Sequence, residues 1–145
     1  MLPSTVTTLC QIITDWVQRT PDLRALGMVG SQARGTARPN SDLDLLILAR
    51  RPRRYFSGTT WSGSIGFETA GYGVVSCAVV DYGPRRSYRF RLLPAAELEL
   101  IFAPLAWACI NPIDPASARI VRDGLSVLVD KDGLFHHLCI ALGSA

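Results

Sequence analysis

The stretch that decides the reading is VGSQARGTARPNSDLDLLIL, residues 29–48. Its second half is a run of leucines and an isoleucine that carries two aspartates, Asp42 and Asp44, one residue apart. Aspartate is disfavoured in strands. Side chains alternate along a strand, so Asp42 and Asp44 share a face with Leu46, and Leu43, Leu45 and Ile47 share the other. Two like charges about 4 Å apart repel by something on the order of 1 to 4 kcal/mol, depending on exposure. A cation between them would offset that. Carboxylates two residues apart on a strand are about 6.6 Å apart at Cα, so their oxygens can converge. Mg²⁺ takes oxygen ligands, typically one or two carboxylates plus substrate phosphates. Two such ions about 3.5 to 4 Å apart can clamp both oxygens of a phosphoryl-type displacement.

The first half of the stretch supplies the complement. "LRALGMVG" reads as a short buried strand running into Gly30-Ser31, after which "SQARG" has a helix-start composition. Helix N-termini leave backbone N–H groups unpaired and carry about half a positive charge, which suits a phosphate. Gly30 permits close approach and Ser31 adds a hydroxyl. Alone, Gly-Ser is an ordinary N-cap; about ten residues ahead of paired aspartates it makes a coherent site for a nucleoside triphosphate.

Outward from this stretch, residues 4–19 show helical spacing of Val6, Leu9, Cys10, Ile13, Trp16 and Val17, with Ser4 as the expected N-cap and Thr20-Pro21 as the stop. "TARPNS" is a loop, and the aspartate strand ends at Arg50 and Pro52. The Gly/Ser-rich segment that follows offers a short helix or turn over Trp61 to Phe67. Residues 74–80 and 87–93 are expected to form a hairpin across "DYGPRR", and "ELELIF" (97–102) alternates again after a turn at Pro94. Residues 114–124 read as a helix with Asp114 as N-cap, Pro115 in the first turn and Gly124 past the end. "LSVLVD" is a strand or a linker before a last helix over about 133–142. The order is that of a mixed α/β domain of α+β type.

With 145 residues and 48% hydrophobic content, the expectation is one globular domain spanning 1–145. No apolar run approaches the roughly 18 residues of a membrane helix, and no basic segment followed by an apolar block marks a secretory signal. Cys10, Cys77, Cys109 and Cys139 are scattered without metal-ligand spacing and read as reduced, mostly buried thiols of a cytoplasmic protein. The net charge of +3 permits an anionic ligand without demanding nucleic acid.

The segment GSQARGTARPNSDLDLLIL resembles the GS…SDxDL signature of the nucleotidyltransferase superfamily that shares the DNA polymerase β palm, especially its small stand-alone prokaryotic members. Gly30, Ser31, Ala33, Arg34, Gly35, Ser41, Asp42, Asp44 and Leu45 fall in the pattern, and the likeness is close over residues 28–48. It implies a small mixed sheet with helices packed mainly on one face. It further implies transfer of a nucleoside monophosphate, AMP from ATP as the expected case, to a hydroxyl acceptor. Ser31 would lie near the triphosphate, and Asp42 and Asp44 would be Mg²⁺ ligands. The acceptor is left open between a small molecule, a protein and an RNA. The site is then completed by a second subunit or by a partner protein, such as the cognate toxin of a toxin–antitoxin pair. The alternative is a catalytically degenerate module that acts by binding a partner.

The resemblance also implies a third carboxylate on a later strand, a metal ligand and base for the acceptor hydroxyl. Glu97 and Glu99 share one face of "AELELIF", opposite Leu98, Leu100 and Phe102; Asp81 reads first as a turn residue. Glu99, deeper in the strand, is preferred over Glu97. Arg34 either reaches phosphate or braces the loop by pairing with an aspartate, the brace being favoured. Arg50, Arg51, Arg53 and Arg54, and Arg85, Arg86, Arg89 and Arg91, form two basic clusters. Arg89 and Arg91 share a strand face opposite Tyr88 and Phe90, and solvated surface roles are favoured over binding of an anionic acceptor such as RNA. His136 and His137 lack zinc spacing. Trp16, Trp61 and Trp107 are expected in the core, with Tyr55 and Trp61 as candidates for a substrate wall.

Overall fold

The computed structural model describes residues 1–143. A first helix, α1 (Pro3–Arg19), leads into β1 (Leu23–Val29), a one-turn helix α2 (Gly30–Arg34) and β2 (Leu43–Ala49). After two short 3₁₀ turns come β3 (Gly73–Asp81), β4 (Arg86–Leu93) and β5 (Ala96–Pro104). A third 3₁₀ turn, α3 (Pro115–Gly124), β6 (Ser126–Asp130) and α4 (Leu134–Ala141) complete the chain. The strands form one six-stranded sheet in the order β3-β4-β5-β2-β1-β6. Only β2 and β5 run parallel; the other neighbours are antiparallel. "LSVLVD" thus resolves as an edge strand.

Alternation sorts the side chains into two cores. Leu43, Leu45 and Ile47 of β2 and Leu98, Leu100 and Phe102 of β5 are buried on one face with Leu9, Ile13, Trp16 and Val17 of α1. Leu46 and Leu48 are buried on the other with Val121 of α3 and Phe135 and Leu138 of α4. α1 covers the first face, while α3 and α4, with α2 against α3, gather on the second, so the helices pack mainly on one face as expected. The last third of the chain is the cause, because Ala118, Val121, Phe135 and Leu138 form apolar stripes that need their own sheet face.

Local chemistry sets the element ends. α1 starts at Pro3, with Leu2 as its N-cap and no capping side chain, so the Ser4 cap expected from the sequence is absent. Proline's fixed φ suits the first helical turn, which moves the start one residue earlier. Asp114 does cap α3, accepting from the Ala116 N–H at 2.9 Å. Gly35 ends α2 in the left-handed region at φ 71°.

Candidate active site

The carboxylates gather where β2 begins. β2 and β5 are parallel neighbours, and their register sets Asp44 directly beside Glu99. β1 flanks β2 on the other side, with Val29 opposite Asp44. The next residue is Gly30, so the strand-to-helix turn arrives against Asp44. One oxygen each from Asp42, Asp44 and Glu99 lie within 4.8 Å of one another. The donor set is all carboxylate oxygen, which fits a hard divalent cation.

The turn is built to allow this approach. Gly30 has φ +72°, and a Cβ placed there would lie 2.2 Å from Asp44 Oδ2. Only glycine meets both demands. Ser31 follows, half-buried, at the second position of α2. Ser41 closes the loop before the strand: its hydroxyl accepts from the Arg38 N–H at 2.8 Å, and its own N–H donates to the Arg38 carbonyl at 2.9 Å. That turn delivers Asp42 to the start of β2.

Burial and mutual repulsion mark the acids. Burial, then the Glu99 carboxylate and Asp42, push Asp44 up to about 7. Asp42 is raised by burial and by the neighbouring Glu97 carboxylate. Both shifts favour the protonated acids, and a divalent cation among these oxygens would oppose them.

Two residues that the sequence did not single out for the site hold Glu99. The Ser87 hydroxyl, from β4, donates a short hydrogen bond to Glu99 Oε1, and Ser87 is buried. The Arg89 guanidinium donates to Glu99 Oε2 at 3.2 Å and lies 3.8 Å from Asp42 Oδ2. Arg89 and Arg91 do share the carboxylate face, opposite Tyr88 and Phe90, but Arg89 pairs with the acids instead of standing free in solvent. The signal was present: a hairpin about Pro94 sets Arg89 across from Glu99 and Arg91 across from Glu97, as the β4–β5 register shows.

The other candidates fall elsewhere. Glu97 is exposed, beside Asp42, and borders a cleft of about 350 Å³ lined also by Met1, Ser41 and Arg91. Asp81 sits in the β3–β4 hairpin, bonded to Arg86 at 2.9 Å and to the Gly83 N–H at 2.8 Å, which hold it below the usual carboxylate range. Arg34 is exposed and forms no ion pair among the described residues; its stem packs toward Gly124 of α3. It braces by packing, where pairing with an aspartate was expected. Tyr55 and Trp61 are no wall for a substrate at the carboxylates. They lie in the aromatic core under the opposite sheet face: Trp61 stacks on Trp16 at 5.8 Å, and the Tyr55 hydroxyl donates to buried Asp22 at 3.1 Å. The cysteines are all free; three are half-buried and Cys109 is exposed, so the thiols are less buried than expected. Among the described residues no helix is long and apolar enough to cross a membrane.

Comparison with known proteins follows the geometry. Among solved structures the chain is similar to an aminoglycoside 6-adenyltransferase from Bacillus subtilis (TM-score 0.53, 14% identity, 69% of this chain and 35% of that one). It is also similar to the Cid1 poly(U) polymerase (0.41, 16%, 68% and 28%) and to terminal uridylyl transferase 4 from Trypanosoma brucei with bound dUTP (0.41, 15%, 70% and 34%). The chain spans about a third of the length of these structures. No curated protein matches significantly. The family model of the nucleotidyltransferase domain matches residues 9–100, which include the glycine-serine turn and the three clustered acids. On that match, over more than half of its length, the chain belongs to the nucleotidyltransferase domain family.

Proposed function

We propose that the chain, read as one domain over residues 1–145, is a Mg²⁺-dependent nucleotidyltransferase that moves AMP from ATP to a hydroxyl acceptor. The supporting observation is the convergence of Asp42, Asp44 and Glu99 oxygens within 4.8 Å, directly against the Gly30–Ser31 turn. In this reading Asp42, Asp44 and Glu99 hold the cation, which when bound neutralises phosphate charge and offsets the repulsion among the acids. Ser31 and the N–H groups of the turn contact the triphosphate tail. Arg34, exposed on the same short helix, would add positive charge on that tail's side of the turn.

The acceptor oxygen bonds the α-phosphorus, the bond from that phosphorus to the bridging oxygen breaks, and pyrophosphate leaves. Glu99 takes the hydroxyl proton. A carboxylate has about four lone-pair sites, so the bonds from Ser87 and Arg89 leave capacity for it. Those two bonds fix its orientation. Glu97, at the mouth beside Asp42, faces the acceptor side. Most of the rate enhancement is positioning and charge neutralisation. The open carboxylate face is completed by whatever presents the acceptor, a second subunit or a partner protein.

Incubation with α-labelled ATP, Mg²⁺ and a cell extract tests the proposal. Label on a protein, an RNA or a small molecule, lost in Asp42→Asn, supports transfer and names the acceptor class. No label, together with no Mg²⁺-dependent ATP binding, supports the degenerate module that works through a partner.

A further inference from the structure

The free edge of β3 stands apart from the rest of the surface. β3 is the first strand in the sheet order, so its outer backbone groups face no other strand. Val74, Val75, Val79 and Val80 are 48%, 53%, 48% and 47% exposed. Sheet edges are normally guarded by charges, prolines, bulges or short length. β3 is nine residues long and has neither charge nor proline from 74 to 80. Its single guard is a bulge at Val75, where the register against β4 slips between Val74 and Ser76.

The strand is also nearly symmetric about its centre, reading Gly-Val-Val-Ser-Cys-Ala-Val-Val-Asp from 73 to 81. An isologous interface needs this self-complementarity, with residue i on j and j on i. We propose that β3 pairs antiparallel with β3 of a second copy, about a two-fold axis through Cys77. Cys77 then faces Cys77, Ser76 faces Ala78 and Val75 faces Val79. The faces agree as well. Cys77 and Val79 lie on the side of their partners Phe90 and Tyr88, while Ser76 and Ala78 lie on the side of Arg91 and Arg89. Valine therefore meets valine and cysteine meets cysteine, the polar Ser76 meets only a small alanine, and no two charges are brought together. Asp81, the charge at the strand end, lies beyond the paired centre and is already held by Arg86.

The two six-stranded sheets become one, and the two carboxylate faces point the same way. Five strand spacings of about 4.8 Å put the two Glu99 positions roughly 24 Å apart. The bulge at Val75 confines regular pairing to the centre of the strand, which places the contact among small, weak interfaces. This inference does not depend on catalysis.

Sedimentation of the full chain from micromolar to millimolar concentration tests it, with cross-linking in a Cys109→Ser background. Cα atoms across an antiparallel pair lie about 4.5 or 5.5 Å apart, within the range of about 4.4 to 6.8 Å that a disulfide spans. Diamide, which takes up the two electrons and two protons, is expected to give a Cys77–Cys77 peptide. Mass should rise toward the dimer with concentration, and V75K/V79K should stay monomeric with an unchanged circular dichroism spectrum. If that double variant unfolds, Ala78→Lys, on the other face, serves instead. A monomer at millimolar concentration, a dimer that survives these variants, or a dimer without the Cys77 cross-link would overturn the proposal.

Discussion

Asp44 and Glu99 stand side by side on two parallel strands, β2 and β5, with nothing between them but the register of the sheet. Parallel pairing here is what brings acids more than fifty residues apart to one point. An antiparallel hairpin would have set one acid against a residue at the far end of the other strand. The sheet thereby holds a repulsion that burial aggravates, since Asp44 is pushed up to about 7.

Replacing Asp44 by asparagine should separate function from stability. Losing an outer partner of a metal ligand costs roughly 10- to 100-fold, and loss of a direct ligand should cost at least that in transfer rate and metal affinity. The metal-free variant should nonetheless melt a few degrees higher than wild type at pH 8, because a like charge is gone. Calorimetric melts in chelator, paired with a transfer assay, check both halves. A lower melting temperature would show that Asp44 is not under electrostatic strain.

The pH dependence follows from the same shift. The folded pKa of Asp44 lies above its unfolded value of about 3.9. Its contribution is therefore fully present below about pH 4 and fades as pH rises through about 7. For this group the metal-free protein should lose stability between about pH 4 and 7. Saturating Mg²⁺ or Mn²⁺ should flatten that decline, and binding of either ion should release protons below neutral pH. Thermal melts across this range, with and without metal, measure it.

Glu99→Gln and Glu97→Gln distinguish the third carboxylate. Glu99 shares the cluster with Asp42 and Asp44 and is oriented by Ser87 and Arg89. Its substitution should lower transfer by about a hundredfold or more, within the usual contribution of a positioned base. Glu97→Gln should retain most activity and alter acceptor affinity. The reverse pattern in a steady-state assay would reassign the role.

Gly30→Ala tests the turn. A non-glycine residue at φ +72° costs about 1 to 2 kcal/mol, and its Cβ would displace the Asp44 carboxylate. Titration with Mn²⁺ should show weakened binding in a protein that still folds, whereas unchanged affinity would mean that the close approach is not needed.

Much of this was readable in the chain. The alternation of Asp42 and Asp44 against Leu43, Leu45 and Ile47 identified both the face and the chemistry, because acids on an apolar strand are hard to explain otherwise. Asp114 capped its helix as its position required. The Ser4 cap failed because Pro3 competes for the helix start, a matter of one residue. Arg89 was passed over because its partner lies across a hairpin whose register depends on the turn at Pro94. Trp61 and Tyr55 sit in an irregular segment without periodicity, so nothing local reports which sheet face they cover. Which faces the last helices would cover also needs the strand order, and order is a property of the assembled sheet.

Titration of ATP into the protein by calorimetry, with and without Mg²⁺ and against Asp42→Asn, tests the central claim most directly. Binding that requires Mg²⁺ and is lost in the variant is expected if the clustered acids grip a nucleotide through a cation. ATP affinity that is equal in chelator, or untouched by the substitution, would contradict it.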